Sequence, residues 1–261
     1  MYKIAIYGKG GIGKSTTTAN VAAALADMGY KVMQIGCDPK ADSTQSLRLG
    51  KSVPTVLDVM LEKGLDGVTL DDIVVSGYNG ILCVEAGGPT PGIGCAGRGI
   101  ITVFDKLEEL DAFKLYKPDI VLYDVLGDVV CGGFAMPIRD GYAEQVYIVT
   151  SGEKMSLYAA GNIVCAIENF KNRGYARLGG FVLNARNVDN EHEMVNELAK
   201  ESGSEILQVI PRSQMVQDAE ALNKTVVEAF PESEMSEGYR ALADKILEVY
   251  KNAKLHKQLS A

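Results

Sequence analysis

Short runs rich in β-branched and other apolar residues recur along the chain at Lys3–Tyr7, Lys31–Gly36, Gly80–Glu85, Asp119–Asp124, Glu144–Thr150, Gly179–Asn184 and Glu205–Ile210. Segments of helix length separate them. Three of these, Ser156–Arg173, Glu191–Glu201 and Met235–Tyr250, space their apolar residues as a helix does when it covers a sheet. Strands alternating with helices predict βαβ units and an α/β fold, a mostly parallel, doubly wound sheet with helices on both faces. In such a sheet ligands collect outside the carboxyl ends of the strands, so chemistry is expected in the loops that follow strands. After the first four runs those loops open at Gly8, Cys37, Ala86 and Val125, and each is rich in glycine, aspartate, lysine or cysteine.

Composition narrows the picture without changing it. The 261 residues, 47% hydrophobic and 23% charged, read as a single domain over 1–261 with no linker, repeat or low-complexity tract, and about 251–261 as a flexible tail. The chain passes from Met1 straight into a motif without the features of a secretion signal, and no apolar run is long enough to span a bilayer. The expected compartment is the cytoplasm, where five cysteines are not expected to pair as disulfides. A formal charge of −8 argues against nucleic acid or an anionic membrane as partner. The basic stretch Lys251–Lys257 has helical spacing and reads as a solvated helix end in preference to a membrane-surface helix.

Gly8-Lys9-Gly10-Gly11-Ile12-Gly13-Lys14-Ser15-Thr16 matches the phosphate-loop pattern G-x-x-x-x-G-K-S/T, between a strand and a helix as that motif requires. Its glycines let successive backbone N–H groups turn toward a β-phosphate, and the helix N-terminus adds positive potential. Lys14 reaches the β and γ oxygens, and Ser15 is the candidate Mg²⁺ ligand. A glycine-rich turn without a ligand is the plain alternative. This makes the expected class a single-domain phosphate-loop NTPase using MgATP.

Lys9 places a second cation beside the phosphates. Within one subunit the two would repel, so a use for Lys9 is to reach across a dimer interface to the neighbour's γ-phosphate, as an arginine finger does; an exposed, idle lysine is the alternative. The loop resembles the deviant phosphate loop of the partitioning-ATPase and nitrogenase-iron-protein superfamily, in which the lysine has that role. Asp124, ending Ile120–Asp124, fits the aspartate that orients Mg²⁺, and Asp38 is better placed to orient attacking water. A strand-end cap stays open for either one taken alone.

Of the five cysteines, Cys37, Cys83 and Cys165 read as buried structural residues. Cys95, in Gly92-Ile93-Gly94-Cys95-Ala96-Gly97-Arg98-Gly99, and Cys131, in Gly127-Asp128-Val129-Val130-Cys131-Gly132-Gly133, stand apart. Glycine around a thiolate lets backbone N–H groups approach the sulfur and a cluster's sulfides. A 4Fe–4S cluster takes four thiolates, and two per chain suggest a homodimer sharing one cluster on its symmetry axis. Spacing alone does not prove this.

Together, Gly8–Thr16, Gly36-Cys37-Asp38-Pro39-Lys40-Ala41-Asp42-Ser43-Thr44, Gly94–Gly99 and Asp124–Phe134 resemble the nitrogenase iron protein family, with a likeness extending to about Tyr250. The resemblance implies an ATP-hydrolysing oxidoreductase. Its Lys9 acts in trans, Asp38–Thr44 and Asp124–Phe134 form two nucleotide-sensing switches, Asp128 takes part in hydrolysis, and Cys95 and Cys131 hold the cluster. Lys40, Asn184 and the segment 211–220, with Pro211, Arg212, Gln217 and Glu220, are then nucleotide-binding. Arg98 matches an arginine that contacts the partner and is ADP-ribosylated in some members. The implied partners are a second copy, a larger nitrogenase or nitrogenase-like catalytic protein, and reduced ferredoxin or flavodoxin as electron source.

Two departures, an end at Ala261 and Ser213 where members commonly carry aspartate, leave the downstream reaction open. Dinitrogen reduction, tetrapyrrole reduction, nickel-tetrapyrrole cofactor synthesis and carbon–sulfur cleavage all belong to such reductases. A partitioning ATPase would account for the phosphate loop but not for two glycine-flanked cysteines. An iron–sulfur scaffold would be expected to carry a C-x-x-C pair, which the sequence lacks.

Overall fold

The computed structural model describes residues 1–88, 96–127, 135–139, 141–170 and 175–259. Among these, eight strands form one sheet: β1 (Tyr2–Gly8), β2 (Val32–Gly36), β3 (Val75–Ser76), β4 (Leu82–Glu85), β5 (Ile120–Leu126), β6 (Gln145–Thr150), β7 (Arg177–Asn184) and β8 (Ile206–Ile210). Their order is β3-β4-β2-β5-β1-β6-β7-β8, and every pairing is parallel except the short β3–β4 contact at the edge. All seven expected runs are strands. β3 was not expected, because two residues carry no periodicity to read.

Eleven α-helices lie among the described residues: α1 (Lys14–Asp27), α2 (Val56–Lys63), α3 (Leu70–Ile73), α4 (Ala96–Glu109), α5 (Ala112–Tyr116), α6 (Met136–Arg139), α7 (Lys154–Phe170), α8 (Glu191–Glu201), α9 (Gln214–Ala221), α10 (Val226–Ala229) and α11 (Glu234–Leu259). The strands are apolar on both faces because helices cover both. Ile4 and Ile6 of β1 and Ile120 and Leu122 of β5 pack with α1 and α11, whereas Ala5, Tyr7, Val121 and Tyr123 pack with α2, α4, α7 and α8. Successive strand residues point to opposite faces, so two core layers arise from one sequence run.

Helix α1 is buried without a break from Thr17 to Ala26, since it lies between the sheet and α11. Its alanines let the neighbouring helix come close. Helix α11 turns Met235, Tyr239, Leu242, Ala243, Ile246 and Leu247 inward, an apolar stripe of helical period. It continues through the basic stretch to Leu259. At the start of α9 the hydroxyl of Ser213 accepts from the Met215 N–H at 3.2 Å, so serine caps this helix as an aspartate would.

Candidate nucleotide and cluster site

The order of strands reverses around β1, which lies between β5 and β6, and the carboxyl ends of these central strands frame the site. The phosphate loop runs from the end of β1 into α1. Gly13, the N-cap of α1, adopts a left-handed conformation with φ +92° that an L side chain resists, and a β-carbon there would lie 2.4 Å from the Asn184 amide nitrogen. Two side chains, one ending β7 and one from the loop after it, brace the phosphate loop from outside. Asn184 Nδ2 donates to the Ile12 carbonyl at 2.6 Å, and Arg186 Nη2 donates to the Gly11 carbonyl at 2.7 Å. Glu191 holds this brace by accepting from the backbone N–H groups of Arg186 and Asn187.

Lys14 is 5% exposed and its ammonium donates to Asp124 Oδ1, forming a buried ion pair at the end of β5. Asp124 is fully buried, and its second oxygen accepts from the Ser43 hydroxyl at 2.6 Å. Ser43 is held in turn by Gln34 Nε2, which donates to its carbonyl at 2.9 Å and its hydroxyl at 3.0 Å. The phosphate-loop lysine, the strand-end aspartate and the segment 38–44 are thus one hydrogen-bonded unit. The Cys37 N–H adds a backbone tie by donating to the Asp124 carbonyl at 3.0 Å.

A cleft of about 500 Å³ opens in front of this unit, within the size range of small-molecule sites. It gathers Lys9, Ser15, Thr16 and Asp38 with the expected Lys40, Asn184, Pro211, Arg212, Gln217 and Glu220. The backbones of Gly10 and Gly11 line it, with no atom within 4 Å of where a β-carbon would stand. Gly8 and Ile12 shape the loop from behind, and the Ile12 side chain is buried in the core. Lys9, Lys14, Lys40, Arg186 and Arg212 make the cleft locally cationic despite the acidic chain. Phosphate oxygens at the loop, a ribose and base toward Asn184 and 211–220, and a cation at Ser15 and Asp124 fit these groups.

The sequence reading did not single out Arg186, Tyr239 or Gln34. Arg186 and Tyr239 both line the cleft, and Gln34 lies within an apolar strand where an amide signals a buried partner. Arg98 is exposed on the first turn of α4, away from the cleft. Asp128, Cys95 and Cys131 lie outside the described residues. The two chain segments leading to the cysteines leave β4 and β5, which flank β2, so both depart from the same edge of the sheet roughly 10 Å apart.

The other three cysteines lie among the described residues. Cys37 and Cys83 are fully buried, and burial pushes the Cys37 thiol well up and the Cys83 thiol up to about 12, holding both protonated. Cys165, expected to be buried, is exposed on α7. Its neighbours Ile163 and Ile167 take the inward face, and two residues from either of them is about 200° around a helix. Among the described residues no group of three or more His, Cys, Asp or Glu side chains could hold a metal ion. No helix among them is long and apolar enough to cross a membrane.

Fold and cleft define a phosphate-loop ATPase built on a doubly wound parallel sheet. Solved structures agree on the fold: the cell-division ATPase MinD of Pyrococcus furiosus superposes with a TM-score of 0.73 at 23% identity, covering 95% of this chain and 99% of that one. A ParA-family ATPase from Chlorobium tepidum gives 0.70 at 18%, covering 93% and 97%. The chain belongs to the 4Fe-4S iron sulfur cluster binding proteins of the NifH/frxC family, whose model matches residues 2–260. It is 59% identical over 230 residues to the nitrogenase iron protein of Methanospirillum hungatei, covering 87% of this chain and 81% of that protein. It is 54% identical over 239 residues to nitrogenase iron protein 2 of Methanothermococcus thermolithotrophicus, covering 87% and 82%.

Proposed function

We propose that this chain is the ATP-hydrolysing electron donor of a nitrogenase, acting in the cytoplasm as a homodimer. Cys95 and Cys131 of each subunit hold one 4Fe–4S cluster, and the dimer passes single electrons to a larger catalytic protein after reduction by ferredoxin or flavodoxin. The names and identities of the two relatives support this partner over the tetrapyrrole-reducing alternatives.

The observation that carries the reading is the shared hold of Lys14 and Ser43 on Asp124. Phosphates arriving at the loop compete with Asp124 for Lys14; Ser15 and Asp124 would hold the Mg²⁺ ion, whose charge would offset the loss of Lys14 from the carboxylate. Asp124 is seven residues from Cys131, and Gly127 packs on Gly8 and Lys9, so a change at the phosphates is felt along the segment leading to the cluster. The cluster supplies the one-electron chemistry. Lys9 of one subunit stabilises charge on the γ-phosphate held by its mate, while Asp38 and Asp128 orient the attacking water.

Anaerobic purification tests the reading. The expected product is a brown dimer with four irons per two chains that hydrolyses ATP when mixed with a nitrogenase catalytic protein and supports substrate reduction. A monomeric, iron-free protein that still cleaves ATP would overturn it.

A further inference from the structure

The hydrogen-bonded unit at the phosphate loop does not end at Ser43. The next residue, Thr44, donates both its N–H, at 2.7 Å, and its hydroxyl, at 2.5 Å, to Oε1 of Glu85. Arg48 donates from Nε to the Thr44 hydroxyl oxygen at 2.9 Å and brings its guanidinium within 3.8 Å of the same carboxylate oxygen. Glu85 is fully buried as the last residue of β4, opposite Gly36 in the β2–β4 ladder. Its other oxygen, Oε2, has no hydrogen-bond partner and rests where a side chain at Gly36 would be, 2.1 Å from the position of a β-carbon. The absence of a side chain at 36 is what admits this carboxylate between β2 and the switch.

Beyond Glu85 the chain enters the segment that leads to Cys95. The Ala86 N–H donates to the Gly36 carbonyl at 2.8 Å, and the Ala86 carbonyl accepts from Leu57 of α2 at 3.2 Å. Gly88 packs so closely on Pro39, in the first switch, that a β-carbon would sit 2.5 Å from that of Pro39. The first switch therefore grips the stem after β4 at two points, Thr44 on Glu85 and Pro39 on Gly88. Between Lys14 and Glu85 the linkage runs through Asp124, Ser43 and Thr44, crossing the ends of three adjacent strands, β5, β2 and β4.

We propose that Glu85 is a positioning residue that transmits the nucleotide state of the first switch to the stem 86–88. When phosphates draw Lys14 from Asp124, Ser43 must adjust, and Thr44 cannot follow without moving on Glu85 or taking Glu85 with it. The interior is close-packed, so small displacements pass along such contacts instead of dissipating. This supplies a second route out of the nucleotide cleft, parallel to the one along β5. It rests only on the nucleotide-binding part of the proposed function.

Amide hydrogen exchange on the full-length protein with and without MgATP tests it. In the unsubstituted chain MgATP is expected to change exchange both in 38–48 and in 82–88. At a pH of about 8, where the carboxyl is ionised, Glu85→Gln keeps the side-chain size but removes the charge that anchors Thr44 and Arg48. It should still bind MgATP and still change in 38–48, with the response in 82–88 reduced at least twofold. Arg48→Met, which loosens Thr44 and removes the guanidinium beside Glu85 without altering any residue of β4, should weaken the same response and decides the matter if Glu85→Gln does not fold. MgATP binding with no change in 82–88 of the unsubstituted chain, or full responses in the variants, overturns the inference alone. Absence of MgATP binding by the unsubstituted chain overturns it together with the proposed function.

Discussion

Ser43 and Asp124, eighty-one positions apart, are joined by a 2.6 Å hydrogen bond deep beneath the cleft, with Lys14 on the aspartate's other oxygen. Partners on both oxygens offset the cost of burying this carboxylate. Asp124→Asn preserves the shape but strands the buried ammonium of Lys14. Without nucleotide the variant is expected to lose about 3–5 kcal/mol of stability, and MgATP, whose phosphates would meet Lys14, should restore a larger share than in the parent. Denaturant unfolding with and without nucleotide reads both. Equal unfolding midpoints for parent and variant without nucleotide would show that the pair does not hold the resting state.

Lys9 lies exposed at the mouth of the cleft, where it neither caps the helix nor joins the buried unit; its carbonyl accepts from Ile12 at 3.1 Å and keeps the loop turned. Lys9→Ala is therefore expected to leave the fold intact. ATP hydrolysis by the dimer in complex with its partner should fall on the order of 10³-fold, with a far smaller change in ATP affinity. Mixed dimers bearing one Lys9→Ala subunit and one subunit defective in binding supply the sharper measurement, because a lysine acting in trans predicts that the position of the surviving lysine decides the rate.

Much of this is legible in the sequence. The phosphate loop, Asp38 and Asp124 were found because each follows an apolar strand with residue types that few other roles demand. Asn184, Pro211, Arg212, Gln217 and Glu220, expected from family likeness to bind the nucleotide, line the same cleft. Arg186 was not found: one arginine in a polar loop has no local pattern, and only the fold brings it to Gly11 at 2.7 Å. Glu85 ends the run Ile81-Leu82-Cys83-Val84 as an ordinary strand-end acid would, and its burial depends on Gly36 and Thr44, more than forty residues earlier. Cys165 was misplaced because a continuous apolar stretch in a helix hides which member faces out.

Arg186→Met tests the brace on the phosphate loop. Removing a charge-assisted bond to the Gly11 carbonyl costs roughly 1.5–3 kcal/mol where that bond is intact. The buried Nε has no partner, which offsets part of the loss. The net expectation is ATP binding weakened roughly tenfold, close to 1.4 kcal/mol, with little change in overall unfolding. Titration calorimetry with MgATP checks it, and an unchanged affinity would mean that Asn184 alone secures the loop.

Gly127 follows the end of β5, and a β-carbon there would lie 2.5 Å from the Gly8 carbonyl oxygen and 3.0 Å from the Lys9 nitrogen. Both obstacles are backbone, so neither can rotate away. Gly127→Ala must push the switch segment off the phosphate loop, at about 1–3 kcal/mol of stability. Hydrolysis should fall by roughly tenfold or more, about 1.4 kcal/mol, while MgATP still binds, since Gly127 itself does not line the cleft. A fully active variant would show that the two loops separate freely during turnover.

Burial raises the Glu85 carboxyl from its ordinary range to about 7, against the opposing pull of the Thr44 hydrogen bonds and Arg48 and with some help from the charge of Asp124. The sign for stability follows from proton binding. Between the unfolded carboxyl value and about 7 the folded chain holds a proton that the unfolded chain has released, so this group's stabilising contribution is full below that window. The contribution is lost as pH climbs through about 7, up to roughly 3 kcal/mol for a shift of this size. Glu85→Gln cannot ionise and lacks this slope. Urea unfolding of parent and variant at pH about 5 and about 8 should therefore show the variant gaining on the parent as pH rises, whatever its absolute stability. A variant that instead lost ground toward alkaline pH would mean that the carboxylate is better stabilised ionised, by Arg48 and Thr44 together, than its burial allows.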